Sequence, residues 1–195
     1  MLFLSLHLCV LSRFKQTFSD LALPFSLYSN HVFMSSSITI RRALVSDIPR
    51  LGELLVQVCN VHAAGRPDIF VAGHRKYSDH ELRLLINQFP LSPILVATNE
   101  DDVCVGYAFC QIQNHEATDN TRARRTLYLD DLCVDEACRG QHVGKRLYEA
   151  VCQLAKEEQC QAVTLNVWAC NPSAVGFYES LGLRTLKTTL EQCLD

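Results

Sequence analysis

The sequence predicts an α/β fold in which a mixed, mostly antiparallel twisted sheet has helices on both faces. Apolar residues alternate with a period of two in some segments and recur with a helical period in others, in the order β-α-α-β-β-β-α-β-α-β. This order is not a uniform series of βαβ units, and the polar turn at residues 99–102 joins two successive strands as a hairpin. With 195 residues, of which 48% are hydrophobic, the chain is long enough for one domain with a substantial core.

The first half of the chain predicts one strand, two helices and the hairpin. Residues 38–43 alternate as a strand, and the hairpin strands are residues 93–98 and 103–113. Ser78 can cap the second helix, with Glu81 at the spacing of a capping box. The apolar stripes of the two helices are Ile48, Leu51, Leu54, Leu55, Val58 and Cys59 in the first and Leu82, Leu85, Ile86 and Phe89 in the second.

The second half predicts three strands and two helices in alternation. Residues 125–134 form a long strand, a helix runs from about residue 140 to residue 158, and residues 162–168 form a strand. Asn171-Pro172-Ser173 then caps a short helix that ends before Gly182. The last predicted strand is Leu183–Thr189.

Residues 1–33 differ from the rest because they show neither a helical nor a strand period. Residues 2–11 resemble the apolar part of a signal peptide, but no basic segment precedes them and no clear cleavage site follows. The run is also too short to cross a bilayer, so no stable membrane insertion is expected. We predict one domain at residues 34–195, with 1–33 as an extension or as sequence upstream of a functional start at Met34. A weak membrane anchor is the alternative.

Composition argues against two classes of site. The net charge of −3 lacks the basic excess that nucleic-acid binding needs. None of the ten cysteines forms a C-x-x-C pair and no ligand spacing fits zinc, so no metal is predicted. Most cysteines lie in apolar patterns, as expected for small buried residues in a reducing compartment, and this predicts a cytoplasmic protein.

The most informative segment runs from Leu127 to Leu147. An apolar strand ends in a polar turn, Arg139-Gly140-Gln141-His142-Val143-Gly144, and a helical pattern begins at once. A turn of this kind presents free backbone N–H groups together with the positive end of the helix dipole. It predicts a site for an anion, most often a phosphate group.

Two motifs together resemble the GCN5-related N-acetyltransferase (GNAT) superfamily over about residues 36–190. The first is an acyl-CoA motif of the form Q/R-x-x-G-x-G/A, which matches residues 139–144. The second has the form N-x-x-A-x-x-F-Y-x-x-x-G-F. It is carried here by Asn171, Ala174, Phe177, Tyr178 and Gly182, with Leu183 in place of the final Phe. By this resemblance, residues 34–195 are expected to form an N-acetyltransferase domain.

The resemblance implies the acyl-CoA N-acyltransferase fold and transfer of an acetyl group from acetyl-CoA to a primary amine by direct attack. It implies that the pyrophosphate of the co-substrate lies on the turn and that its pantetheine arm pairs with strand backbone. Homodimers are common in the superfamily, although no residue here predicts one. The implied acetyl-CoA contacts are Leu132, Cys133, Val134, Arg139, Gly140, Gln141, His142, Val143, Gly144, Lys145 and Asn171. For Asn171, a plain helix cap is the alternative.

His142 departs from the motif because it stands where the pattern has its first glycine. If the position requires a positive φ, a histidine costs free energy there, although less than a β-branched residue would. Arg139, Lys145 and Arg146 are expected to supply compensating positive charge near the phosphates. Acetyl-CoA binding is therefore expected to survive in weakened form.

The resemblance also implies catalytic roles. Tyr178 is the expected general acid for the departing CoA thiolate, with a core aromatic as the alternative.

A lysine-like amine, with a pKa of about 10.4, must lose a proton before it attacks. Asp130 or Asp131 could accept it. Since neighbouring strand residues face opposite sides, only one should point into the cleft. Asp130 is the expected base, Asp131 an expected acceptor contact, and cation recognition is the alternative role.

Arg66, Asp68 and Phe70 lie where this fold builds the wall of its acceptor site, so they are candidate acceptor contacts; an ordinary turn at Pro67-Asp68 is the alternative. The acidic pair favours a cationic acceptor, either a small amine or a protein amine.

Two other functions stay open: an acyl-CoA-binding sensor without turnover, and a nucleotide-binding domain. The absence of a glycine-rich turn after the first strand argues against the nucleotide-binding domain.

Overall fold

The structure, a computed structural model, describes residues 33–35, 38–88 and 91–194. Within these residues the chain forms one six-stranded sheet and four α-helices. The strands are β1 (Phe33–Ser35), β2 (Ile38–Arg42), β3 (Ile94–Thr98), β4 (Cys104–His115), β5 (Arg124–Val134) and β6 (Ala162–Leu165). The helices are α1 (Ile48–Gly65), α2 (Asp79–Asn87), α3 (Val143–Glu157) and α4 (Pro172–Ser180).

The strands lie in the sheet in the same order as in the chain. Each strand pairs with its neighbour in antiparallel orientation except β6, which is parallel to β5. Parallel neighbours need a crossover connection, and α3 supplies it. The sheet is therefore mixed and mostly antiparallel.

The helices cover both faces of this sheet, and a hydrophobic cluster fills the space under each layer. On one face α3 contributes Leu147 and Val151, which pack with Leu127 of β5. On the other face α1 and α2 contribute Leu54 and Leu82. Successive residues of β4 join alternate clusters, as the period of two along a strand requires. The predicted fold class is confirmed.

Local sequence signals set several element ends as predicted. α1 ends at Gly65, immediately before the Arg66-Pro67 break. At the start of α2, the Ser78 amide donates to the Glu81 carboxylate at 2.7 Å and the Glu81 amide donates to the Ser78 hydroxyl at 3.3 Å. In the hairpin turn, the Asn99 side chain accepts from the amides two and four residues later. Each contact satisfies a backbone donor that the element itself leaves unpaired.

The predicted strand at residues 183–189 is wrong. The segment forms no ladder, and its Leu186 is 70% exposed, because apolar residues make a strand only where a face is available to bury them. The strand before it is also shorter than predicted, since β6 ends at Leu165 and not at Trp168. Phe89, predicted in the apolar face of α2, lies outside the described residues.

β1 was not predicted, and the expected boundary at Met34 falls inside it. Residues 1–32 lie outside the described residues, so the extension at residues 1–33 stays a prediction. Among the described residues, none of the helices combines the length and the apolar character needed to span a membrane.

A β-bulge in β5 breaks the regular ladder beside the turn that the sequence singled out. Asp131 pairs with Phe109 of β4, whereas Cys110 pairs with Leu129, so Asp130 is skipped in the pairing of these two strands. The pairing of β5 with β6 also ends at Leu129. From Asp130 onward, β5 therefore continues with an open edge within the described residues.

Candidate active site

The turn before α3 has the backbone geometry of an anion site. Gly140 has a φ of 77° and His142 a φ of 60°, both in the left-handed region. The His142 side chain makes no capping hydrogen bond, so the first N–H groups of α3 remain free to meet a ligand. These amides and the positive end of the helix dipole converge on one point. The positive φ at the glycine position of the motif is confirmed.

The basic residues near this turn are divided between the site and the core. The Arg139 guanidinium is exposed and donates to the Val134 carbonyl at 3.3 Å. Lys145 is exposed, with its Nζ 3.9 Å from Glu149, and it is free to move toward an anion. Arg146 instead donates to the Ile38 carbonyl of β2 at 2.8 Å. Arg146 is thus attached to β2, and its contribution of positive charge near the phosphates stays a prediction.

The open edge of β5 leads from this turn to the bulge. Leu132 and Val134 pack against the cluster under α3, whereas Cys133 is buried on the opposite face with its Sγ 3.6 Å from the Leu54 carbonyl. Burial raises the pKa of the Cys133 thiol to about 12, so this cysteine is unreactive. What these three residues offer a ligand is backbone. The four steps from Val134 to Asp130 span about 13 Å, a length that a pantetheine arm covers.

α4 packs Tyr178 against the hydrophobic cluster under α3. A Cβ on Gly144 would lie 3.3 Å from the Phe177 ring, so α4 packs closely on the first turn of α3. The Tyr178 ring contacts Phe177 and Tyr148. Burial raises the pKa of Tyr178 well above its usual 10, and the negative charge of Asp131 raises it further. Tyr178 therefore stays protonated and lies close enough to Asp131 to sense its charge.

Asn171 acts as a helix cap in the structure. Its side-chain oxygen accepts from the Ala174 amide at 3.1 Å, and Pro172 occupies the first turn of α4. The alternative role expected for Asn171, a plain helix cap, is thus observed. Its contact with the co-substrate stays a prediction.

Both acidic side chains of β5 point to the same face of the sheet. The Asp130 carboxylate accepts from the Tyr77 hydroxyl at 2.9 Å and from Lys76 Nζ at 2.7 Å, and the Asp131 carboxylate accepts from the Tyr107 hydroxyl at 3.0 Å. Both tyrosines belong to the cluster under α1 and α2. The expectation that only one carboxylate faces the cleft is wrong, because the bulge cancels the alternation between neighbours.

The two carboxylates differ in their electrostatic environment. Burial raises the pKa of Asp131 to about 6, and the hydrogen bond from Tyr107 and the charge of Lys76 offset part of this rise. Asp130 is close enough to add to the rise. Asp130 itself is neutralised by the ammonium of Lys76. The pKa of Asp131 therefore lies closer to neutral pH than that of an ordinary aspartate.

The expected acceptor contacts Arg66 and Asp68 pair with each other. Arg66 Nη2 lies 2.7 Å from the Asp68 carboxylate and 2.9 Å from that of Glu191. The guanidinium lowers the pKa of Asp68. This network ties the loop after α1 to the C-terminal segment, and a role in binding an acceptor stays a prediction.

Phe70 lies in an aromatic wall with His62 and Trp168. The centroid of its ring is 5.0 Å from that of His62 and 5.1 Å from that of Trp168. Trp168 is 39% exposed, so the wall offers apolar surface to solvent. No sequence pattern singled out Trp168, because its link to Phe70 depends on two loops that meet only in the fold.

Sequence reasoning also missed Lys76, Tyr77 and Tyr107. The alternation of β4 could have put Tyr107 on the face of one acidic residue. No pattern in the loop at residues 66–78 indicates that Lys76 and Tyr77 reach Asp130, which is 54 residues from Lys76. Such a contact depends on the path of the loop over the sheet.

The similarity of the chain to known proteins agrees with this geometry. A family model described as the acetyltransferase (GNAT) family matches residues 55–183. The chain belongs to this family. The expected superfamily is thereby confirmed, and the predicted class of enzyme, an N-acetyltransferase, is the class of its named relatives.

Two relatives and one solved structure illustrate the family likeness. The peptidyl-lysine N-acetyltransferase YjaB of Escherichia coli is 31% identical over 148 residues, 75% of this chain and 82% of that protein. N-alpha-acetyltransferase 30 of Saccharomyces cerevisiae is 26% identical over 122 residues, 61% of this chain and 66% of the yeast protein, just under two-thirds of its length. The crystal structure of a mutant of the BH1408 protein from Bacillus halodurans is 32% identical with a TM-score of 0.76, covering 80% of this chain and 98% of that one.

The GNAT family implies acetyl-CoA as co-substrate, and the residues present fit it. The turn at residues 139–144 offers amide donors for the pyrophosphate, and the edge of β5 from Asp130 to Val134 has no strand partner within the described residues. In the part of the chain that the structure describes, no group of three or more His, Cys, Asp or Glu side chains could hold a metal ion.

Replacing His142 tests the geometry of the turn. For His142→Gly we expect a free energy of unfolding within about 1 kcal/mol of the native chain, because removing left-handed strain offsets the extra freedom of an unfolded glycine. Its affinity for acetyl-CoA should rise, since no Cβ crowds the amides. His142→Val should lose about 1–2 kcal/mol. Urea unfolding and calorimetric titration measure both, and a Val variant of native stability would contradict the left-handed assignment.

Asp131→Asn is expected to stabilise the fold at neutral pH. The folded state holds the Asp131 proton more tightly than the unfolded chain does, so stability falls as the pH rises from about 4 through about 6. The rise in the pKa of Asp131 from 3.8 to about 6 corresponds to about 3 kcal/mol in the free energy of unfolding. Because the Asp131 side chain keeps some contact with solvent, we expect Asp131→Asn to gain about half of this amount.

Unfolding in urea at about pH 7.5 and about pH 3.5 measures this effect. The gain of Asp131→Asn should be present at the higher pH and absent at the lower one. Asp130→Asn is the comparison, since it removes the ion pair with Lys76 and only the smaller contribution of Asp130 to the raised pKa of Asp131, so its gain should be clearly smaller. An Asp131→Asn variant less stable than the native chain at the higher pH would contradict the burial argument.

Proposed function

We propose that the chain transfers the acetyl group of acetyl-CoA to a primary amine by direct attack of the amine on the thioester. The observation that carries this proposal is the open edge of β5, which runs from Asp130 and Asp131 toward the left-handed turn before α3. In this proposal the thioester lies along that edge, with Asp131 as the base and Tyr178 as the acid. No cysteine nucleophile is needed for such a transfer.

Asp131, and not Asp130, is the base in this proposal. A carboxyl with a pKa near 6 is mostly ionised at pH 7 and accepts a proton more readily than an ordinary aspartate. Asp130 is already paired with the ammonium of Lys76. In this proposal Asp130 holds the loop that carries Lys76 and compensates the positive charge of that lysine. An ammonium that reaches Asp131 gives up one proton and becomes nucleophilic.

Tyr178 is the acid that protonates the departing thiolate. Burial raises the pKa of the phenol, which makes it a weaker acid than tyrosine in water. The same poorly solvated surroundings make the thiolate a stronger base. Proton transfer therefore depends on the difference between the pKa values of the phenol and the thiol more than on either value alone. The phenol stays protonated until the C–S bond breaks.

The acceptor in this proposal is an α- or ε-amine of a peptide or protein. One relative is named for peptidyl-lysine and another for an α-amine. The exposed apolar wall around Phe70 and Trp168 suits a chain that continues beyond the reacting amine. Because Lys76 neutralises one of the two carboxylates, the site is less anionic than the acidic pair suggests and less suited to a polyamine.

Thiol release with a panel of peptides, lysine, and polyamines tests this proposal. We expect amine-dependent release from acetyl-CoA, and Tyr178→Phe should lower kcat by about 100-fold, in the range of general acid catalysis. Tyr148→Phe is the matched control, since it alters a neighbouring ring in the same aromatic group. Binding of acetyl-CoA without release from any amine would favour an acyl-CoA-binding sensor and would refute the transferase.

The acid limb of the pH profile distinguishes the two carboxylates. Tyr107→Phe removes a hydrogen bond that lowers the pKa of Asp131, so the limb of kcat/KM near pH 6 should move up by about one pH unit. Tyr77→Phe removes the corresponding donor to Asp130 and should leave the limb in place. The reverse pattern would make Asp130 the base.

A further inference from the structure

We propose that Lys76 is acetylated within its own molecule at the active site. The Lys76 ammonium lies 2.7 Å from the Asp130 carboxylate, next in sequence to Asp131. This lysine therefore sits where the acceptor amine of the proposed reaction would be bound. The inference rests on the proposed function and adds a modification site to it.

The loop that carries Lys76 is anchored, so this position is held and not transient. The hydroxyl of the next residue, Tyr77, donates to the same Asp130 oxygen at 2.9 Å. The Tyr77 ring stacks on Phe109 with 5.5 Å between centroids, and Phe109 pairs with Asp131 across the ladder. The backbone beside Lys76 is thus tied to the strand that holds both carboxylates.

Lys76 keeps enough solvent contact to move over a short distance. Its side chain is 34% exposed and that of Asp130 is 11% exposed. A flexible side chain at this exposure can pass from Asp130 to the neighbouring Asp131 without movement of the backbone. The open edge of β5 begins at the same residues, so a thioester on this edge lies within reach of the amine.

The transfer balances in atoms and charge. One bond forms between Lys76 Nζ and the acetyl carbon, and the bond between that carbon and the CoA sulfur breaks. Of the three ammonium protons, one stays on the amide nitrogen and one passes through Asp131 to water. The third replaces the proton that Tyr178 gives to the thiolate, so the products are acetyl-lysine, free CoA and one proton.

Acetylation would change the charge of the acceptor side. It removes the cation that neutralises Asp130 and leaves that carboxylate with Tyr77 as its hydrogen-bond donor. A second negative charge is then available to a cationic acceptor. The positive charge that Lys76 exerts on His62, which contributes to the lowered pKa of that histidine, is lost as well.

The test is incubation of the full chain with acetyl-CoA, followed by peptide mapping by mass spectrometry over time. We expect Lys76 to be acetylated at least about tenfold faster than the exposed Lys156, because a positioned amine reacts at a high effective concentration. The first-order rate should not depend on protein concentration. Asp130→Asn and Tyr178→Phe should slow it, and Lys76→Arg should abolish the modification, whereas Lys156→Arg should leave the Lys76 rate unchanged.

Thiol release with external amines, measured in parallel, separates the two proposals. Turnover of an external amine with Lys76 unmodified, or modified no faster than Lys156, would overturn the inference and leave the proposed function standing. A rate proportional to protein concentration would overturn transfer within one molecule. Absence of both thiol release and modification would overturn the inference together with the proposed function.

Discussion

The bulge at Asp130 is the constraint on which the arrangement of the active site depends. One unpaired residue in β5 puts both acidic side chains on the face covered by α1 and α2. At the same point β5 leaves β6, so a strand with an open edge runs from the carboxylates to the turn before α3. This one interruption of the ladder thus places the two carboxylates at the start of the open edge that leads to the anion-binding turn.

The regular parts of this structure could be predicted from sequence because their signals are local. Strand and helix periods, the Ser78–Glu81 cap and the end of α1 at Gly65 each depend on a few neighbouring residues. The bulge could not be predicted, since a shift of one residue in pairing leaves the composition of β5 unchanged. The Lys76–Asp130 contact could not be predicted for a different reason. It joins residues 54 positions apart in the chain and depends on the path of the loop that carries Lys76.

The site contains two features that a stable fold alone would not favour. His142 adopts a backbone conformation that glycine would adopt at lower cost, and Asp131 holds a charge in surroundings that raise its pKa to about 6. Asp131 lies on the open edge of β5, and His142 lies in the turn to which that edge leads. Such local strain is common where geometry and proton affinity matter more than stability.

The ion pair of Lys76 with Asp130 gives the two carboxylates separate tasks. Two unpaired carboxylates in adjacent positions would each raise the pKa of the other, and one of them would tend to stay protonated. Lys76 pairs with Asp130, and its charge also offsets part of the rise by which burial brings the pKa of Asp131 to about 6. The cost is that an internal amine lies beside the reacting position. In the proposed reaction, an external acceptor therefore competes with Lys76 or follows its acetylation.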